Sequence, residues 1–273
     1  MLFRGFNLGI EFAGGTVSEL RIPAAAGAVG EGALRSAMEG AGYEGTVVTR
    51  IGTPEERDFS VSLKRSQAEE RDLSVNVESL LNQALGTEVE VRRVESIGPR
   101  VGSELRTAAA QALLISWGCI LLYIWFRFDL RYAPGAVAAL IHDVLITAGV
   151  FVLLGWEFNL QVLAALLVVI GYSLNDTIVI YDRIRENLEV RGTTHLEDVV
   201  NQSINQTLSR TLLTSLTTLI VVVAMVALGG PVLRGFAVAL LIGVVIGTYS
   251  TIYVASALLI FLERRYGSVT AAR

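Results

Sequence analysis

Five long apolar runs occupy the second part of the chain, at roughly 108–126, 134–155, 160–181, 211–228 and 235–262. Each has about 18 residues or more, enough to cross hydrocarbon as a helix at ~1.5 Å per residue. In lipid a backbone must satisfy its own hydrogen bonds, so helices are the form these runs take. Pro134 suits the first turn of the second helix, where a missing N–H does no harm. The pattern predicts a polytopic α-helical membrane bundle over residues 106–265, with residues 266–273 as a tail.

The first 105 residues follow a different pattern. Leu8–Phe12, a Gly14–Gly15 turn and Thr16–Ile22 read as a hairpin of alternating apolar positions. Gly30–Ala41 places Leu34 and Met38 at helical spacing. Thr46–Ile51 and Asp58–Lys64 read as strands, the second with Phe59, Val61 and Leu63 alternating. Ala68–Leu85 gathers Leu73, Val77, Leu80, Leu81 and Ala84 on one helical face, and Thr87–Val94 closes the series as a strand. Apart from the extra hairpin strand this is βαββαβ, an N-terminal α+β domain of ferredoxin-like type.

Composition sharpens the division. Mean hydropathy is +0.55 and 18% of residues are charged, against about a quarter in soluble chains. Residues 1–107 carry 12 of the 22 basic and 16 of the 26 acidic side chains. A net charge of −4 argues against nucleic acid as a partner. The single cysteine, Cys119, allows no intrachain disulfide and is expected as a small core residue. No nucleophile–base pair, metal-ligand cluster or phosphate loop occurs, so neither an enzyme nor a metal site is expected.

Loop charges give an orientation. Arg127, Arg131, Arg183, Arg185, Arg191, Arg264, Arg265 and Arg273 lie in one set of connections and the tail. The opposite connections, Gly155–Asn159 and Gly229–Arg234, hold Arg234 alone. The arginine-rich side is then cytoplasmic and the α+β domain extracytoplasmic. An external domain requires a segment that translocates it, and nothing before Phe12 resembles a signal peptide or a span. The expectation is therefore six helices in the full protein, five of them present here and the first preceding Met1. A cytoplasmic domain is the opposing reading, and it conflicts with the loop charges.

Polar residues inside spans are expensive and invite a functional reading. Asp176 lies ~9 Å by helical rise from the polar end at Asp182, too deep for so short a side chain to reach headgroups comfortably. Asn175 is beside it and Ser173 one turn earlier. A buried, titrating carboxylate is the favoured reading. Asp143 stands on an i+4 stripe with Gly135, Ala139 and Thr147, and a packing or hydrogen-bonding role weighs equally with a functional one. His142 points to a neighbouring face, as a satisfied core or interface histidine. If Val199–Leu208 continues the fourth helix, Arg210 lies well below the surface and shares a face with Thr207, Thr214 and Thr217; otherwise it snorkels to the cytoplasmic surface. Gly235, Ala239, Gly243, Gly247, Thr251 and Ala255 form an unbroken i+4 row, a packing seam with no chemistry implied.

Several of these segments carry a resemblance. RGFNLGIEFAGGT at Arg4–Thr16, IGPRVGSELR at Ile97–Arg106, LIHDVLI at Leu140–Ile146, IGYSLNDTIVIYDRIREN at Ile170–Asn187, NQSINQTLSRTLLTSLTT at Asn201–Thr218 and GTYSTIYVAS at Gly247–Ser256 resemble, in this order, the SecF family of the bacterial export machinery. Glu11 and Ala13 stand where that family usually has Asp and Thr, and the family has a span before RGFN. The resemblance implies a unit of the bacterial inner membrane that pairs with a similar unit, SecD, in a pseudo-symmetric bundle of resistance–nodulation–division type. It implies use of the proton-motive force to promote late translocation of unfolded preproteins through the SecYEG channel, with protons as the coupling ion and no cofactor. It also implies that Asp176 of the NDT block and Arg210 of the SRT block serve proton movement, with Asn175 and Thr214 beside them and Asp143 a weaker candidate. A proton-driven exporter of small molecules and a passive scaffold are the competing readings.

Overall fold

The computed structural model describes residues 5–23, 29–41, 43, 45–51, 57–64, 78–79, 81–83, 86, 88–127, 132–191 and 196–266. Its N-terminal part holds β1 (Asn7–Leu8), α1 (Ile10–Ala13), β2 (Gly15–Arg21), α2 (Glu31–Gly40), β3 (Val47–Ile51), β4 (Asp58–Lys64) and β5 (Glu90–Ile97). Five long helical stretches follow. These are α3 (Pro99–Arg127), α4 (Ala133–Leu154), α5 (Leu160–Arg191), α6 (Leu196–Leu228) and α7 (Gly230–Ser250), which continues through a π-helical turn at Thr251–Ala255 into α8 (Ser256–Tyr266). A two-residue strand, β6 (Glu157–Phe158), lies between α4 and α5.

Four strands form an antiparallel sheet in the order β3-β4-β2-β5, the strand order of a ferredoxin-like domain. Register places Leu20 opposite Phe59 and Ser18 opposite Val61. The period-2 alternation therefore delivers Leu20, Phe59, Val61 and Leu63 to one face, where Leu34 and Met38 of α2 cover them. Leu81 joins this core. Most of the predicted helix Ala68–Leu85, including Leu73, Val77, Leu80 and Ala84, lies outside the described residues.

The predicted hairpin strand Leu8–Phe12 is not one. Only Asn7–Leu8 is extended, and it pairs in parallel with Glu157–Phe158 between two membrane helices. The Gly9 N–H donates to the Phe158 carbonyl at 3.0 Å, and Asn7 Nδ2 donates to the Gly155 carbonyl at 3.0 Å. Residues 10–13 then coil into one helical turn that buries Ile10 and Phe12. Gly14 and Gly15, at φ +77° and +152°, carry the chain into β2, and a Cβ on Gly15 would stand 2.2 Å from the Leu63 carbonyl oxygen. Five alternating residues satisfied a strand pattern, but the pairing partner that decides the matter lies about 150 residues away.

The five spans are present, and three are longer than their apolar runs because polar sequence continues the same helix: Pro99–Thr107 before the first, Asp182–Arg191 after the third and Leu196–Arg210 before the fourth. Pro134 lies in the first turn of α4. α3 is peripheral, touching the bundle through Leu113, Trp117, Ile120 and Ile124. Cys119 is thereby turned outward and exposed, contrary to the expectation of a core cysteine. Helices α4–α8 pack around two apolar layers. One holds Tyr132, Ala136, Ile180, Tyr181, Ala255 and Leu259. The other holds Phe151, Val162, Val169, Val222, Ala239 and Leu240, toward the β6 end.

Candidate functional site

Between the two apolar layers α4, α5, α6 and the junction of α7 with the π-helical turn contribute buried polar side chains. Asp143 and Thr147 come from α4, Ser173, Asp176 and Thr177 from α5, Thr211 and Ser215 from α6, and Ser250 and Thr251 from the end of α7; all are buried. The spacing follows from the sequence. Asp143 and Thr147 are one turn apart on α4 and Ser173 and Thr177 on α5, whereas the buried face of α6 carries Ser203, Thr207, Thr211 and Ser215 at every fourth residue.

Asp143 is the eleventh residue of the 22-residue α4 and is 0% exposed. Ser173 Oγ donates to its Oδ2 at 2.6 Å, and His142 Nδ1 lies 3.1 Å from its Oδ1. The Ser173 carbonyl accepts from Thr177 Oγ1 at 3.1 Å and from Thr251 Oγ1 at 3.4 Å. Thr251 opens the π-helical turn, whose shifted backbone lets Ser256 Oγ reach the Thr251 carbonyl. At the far end of that turn the Ala255 carbonyl accepts from Tyr181 OH at 3.1 Å. Thr251 and Ala255 therefore do more than pack, and the i+4 row that placed them in a seam could not reveal a change of helical pitch. On α6, Ser215 Oγ shares a 2.8 Å hydrogen bond with Thr248 Oγ1.

Asp176 is one turn beyond Ser173 and only 4% exposed. Its Oδ2 has no hydrogen-bond partner among the described residues, and neither has Thr211 Oγ1 or Thr147 Oγ1. Arg210 is the fifteenth residue of the 33-residue α6. Val199–Leu208 does continue the fourth helix, so Arg210 lies mid-helix, with its side chain exposed. It forms no ion pair with a described residue. Asn175 and Arg210 are exposed on the outside of the bundle and Thr214 is half-buried, its Oγ1 donating to the Arg210 carbonyl at 3.0 Å. Asp176 and Asp143 are thus both buried in the polar layer, whereas Arg210 is exposed on α6.

The small residues of α7 set how closely α5 approaches. Gly235 is loose: a Cβ there would lie 3.6 Å from Val162 Cγ2. Ala239 is fully buried. At Gly243 the same atom would stand 2.2 Å from Val169 Cγ2, and at Gly247 it would meet Ser173 Cβ at 3.1 Å and Asp143 Oδ2 at 3.5 Å. Among the described residues no group of His, Cys, Asp and Glu side chains is arranged to hold a metal ion.

Residues 76–265 match the family described as protein export membrane protein SecD/SecF, C-terminal, and residues 1–22 match the SecD/SecF GG motif. The chain is 43% identical over 269 residues to the protein translocase subunit SecF of Desulfurispirillum indicum, covering 96% of this chain and 84% of that one. It is 47% identical over 262 residues to SecF of Magnetococcus marinus, covering 95% and 83%. A crystal structure of SecDF from Thermus, titled a translocon-associated membrane protein, superposes with a TM-score of 0.81 at 43% identity, covering 97% of this chain and 35% of that one.

Proposed function

The chain belongs to the SecD/SecF family of protein-export membrane proteins, and from that premise we propose that it couples proton movement at Asp176 and Arg210 to motion of its α+β domain during late preprotein translocation. It is a transport subunit with no catalytic chemistry of its own, and the proton is its coupling ion. The observation that carries the reading is the Asp176 carboxyl: buried inside a membrane helix and unpartnered at Oδ2 among the described residues. Such a group changes charge only when its surroundings rearrange. Moving one charge across 100 mV is worth about 2.3 kcal/mol, a factor of about fifty in a two-state equilibrium.

A path from the acid to the domain supports the same reading. α5 begins at Leu160, directly after the β6 residues that grip β1, so displacement of α5 is felt at Asn7–Leu8. The clasp also supports an extracytoplasmic, periplasmic domain, because it sits at the end of the bundle whose connection lacks basic residues, with the arginine-rich loops at the cytoplasmic end. A SecD-like subunit is the natural cover for the outer side of the site. A charged residue at the centre of a membrane helix costs about 2.5–3.5 kcal/mol against lipid, and Arg210 and Asn175 are both open there. SecYEG and the emerging preprotein are the further partners of this reading.

The test is export through the complete machinery, driven by a proton gradient, with Asp176→Asn and Arg210→Ala. Each is expected to lose about tenfold or more of the gradient-dependent stimulation, a loss of about 1.4 kcal/mol or more, while still co-purifying with its partner. Full stimulation in Asp176→Asn would leave a passive scaffold as the better description.

A further inference from the structure

The second acid of the polar layer is not the one just assigned to proton movement, and its surroundings differ in kind. Asp176 is buried with one oxygen unpartnered among the described residues. Asp143 is fully enclosed, with Ser173 on one oxygen and His142 on the other. Among the described residues its only link outward is His142, whose side chain is 31% exposed, and it also holds Ser173, which lies one turn before Asp176.

Ser173 is a junction. Its hydroxyl donates to Asp143 on α4, and its carbonyl receives both Thr177 of its own helix and Thr251 at the opening of the π-helical turn. Thr177 and Thr251 are also 3.2 Å apart. Three helices are thereby tied at the helical turn that carries Asp176. Gly247 makes the junction possible, since any larger residue there would press on Ser173 and Asp143. The charged or titratable groups facing this turn are Asp143 and His142 from α4 and Arg210 from α6. α7 presents Gly247 and Thr251, and α3 presents Leu113, Trp117 and Ile120, none of them charged.

We propose that Asp143 is a positioning residue: by holding Ser173 against the π-helical turn, it fixes the helical turn from which the Asp176 carboxyl responds to protons. A hydrogen bond into a buried carboxylate is among the stronger ones available to a side chain, and a π-helical turn is a place where a helix changes register at low cost. This inference rests on the reading of Asp176 as the proton-responsive acid, and deepens it by naming what sets that acid's geometry.

The experiment compares Asp143→Asn, Asp143→Ala and Ser173→Ala in the assembled complex, with Asp176→Asn alongside. Gradient-driven export and its pH profile are measured together with the infrared carboxyl band of Asp176, identified by its loss in Asp176→Asn. Asn at 143 still accepts the Ser173 hydroxyl and is expected to keep at least about half of the stimulation. Asp143→Ala and Ser173→Ala remove the bond. Each is expected to lose about fivefold and to displace both the pH profile and the carboxyl band by about one pH unit, the equivalent of one strong hydrogen bond. Their double variant is expected to be no worse than either alone, because both break one unit. If Asp143→Asn is as inactive as Asp176→Asn, Asp143 itself carries the proton and the proposal falls. It falls equally if Ser173→Ala, the milder variant should Asp143→Ala fail to fold, leaves the profile and the band unmoved. Full stimulation in Asp176→Asn would instead overturn the proton-coupling role of that residue, while the carboxyl band would still report whether Asp143 positions it.

Discussion

Substitution of Gly243 by alanine tests the contact between α5 and α7 most directly. The added Cβ would stand 2.2 Å from Cγ2, 2.8 Å from Cγ1 and 3.1 Å from Cβ of Val169, where ordinary carbon contacts begin near ~3.5 Å. Val169 is fully buried, and a helical valine holds one χ1 rotamer in about nine cases of ten. Rotating the side chain exchanges one methyl for the other, so relief must come from parting the helices by about 1 Å. Overpacking of this kind costs about 1–3 kcal/mol, or roughly five- to 150-fold in the unfolding equilibrium. Val169→Ala removes the obstructing methyls. The double variant should recover to within about 1 kcal/mol of Val169→Ala alone, as expected for two residues in direct contact. Unfolding in mixed micelles, followed by tryptophan fluorescence, measures both. Gly235→Ala, facing Val162 at an ordinary 3.6 Å, serves as a control expected within about 0.5 kcal/mol of the parent. A Gly243→Ala protein as stable as the parent, or one that Val169→Ala fails to relieve, would refute the geometry.

Two further perturbations probe the α+β domain. Arg21 grips Asp58 through two hydrogen bonds, at 2.7 and 2.9 Å, and holds its carboxyl below the ordinary value of 3.8. The resulting stability is present above that value and is lost as pH falls through the lower folded one. Arg21 is about a third exposed and the pair is screened by solvent, so the effect should be about 1 kcal/mol or less; hydrogen exchange of β2 and β4 amides should show it in the parent and not in Asp58→Asn. Phe158→Ala removes ring contacts to Phe6 at 5.3 Å and Phe12 at 6.2 Å, worth about 1–2 kcal/mol together. Exchange at the Gly9 amide should rise about tenfold while β2 and β4 are unchanged; an unaltered Gly9 would mean that the rings do not hold the clasp.

How far the sequence discloses this molecule depends on the range of the interaction concerned. An apolar run long enough to span hydrocarbon dictates a helix by itself, and so all five spans were legible. The strands of the sheet were legible where alternation ran for several residues, as at Phe59, Val61 and Leu63. Leu8–Phe12 was misread because its fate depends on Glu157–Phe158, which no local pattern discloses. Cys119 was misplaced because an apolar helix in a membrane has no obligatory inner face, and the pattern that marks burial in water is silent in lipid. Asp176 was visible as an isolated acid in an apolar run. Its Ser and Thr neighbours on other helices were not, because a hydroxyl scarcely disturbs hydropathy.

The layering bears on the proposal that one acid in this bundle changes charge while another holds still. Apolar layers above and below exclude water from both, which strengthens every hydrogen bond between them and raises the cost of leaving one unmade. Asp143, with both oxygens engaged, gains from that environment and has little to gain by moving. Asp176 bears the cost at Oδ2, and relief for it is proposed toward Arg210 on α6. In the proposed cycle the bond from Ser173 to Asp143 keeps α5 with α4, and the rearrangement that satisfies Asp176 is a shift of α5 relative to α6. α5 starts beside the β6 clasp, about 24 Å of helical rise from Leu160 to Asp176, and the backbone between them is one unbroken helix. In the proposed cycle the shift arrives at Asn7–Leu8 undiminished, and the α1 turn with Gly14 and Gly15 passes it to β2, a central strand of the sheet.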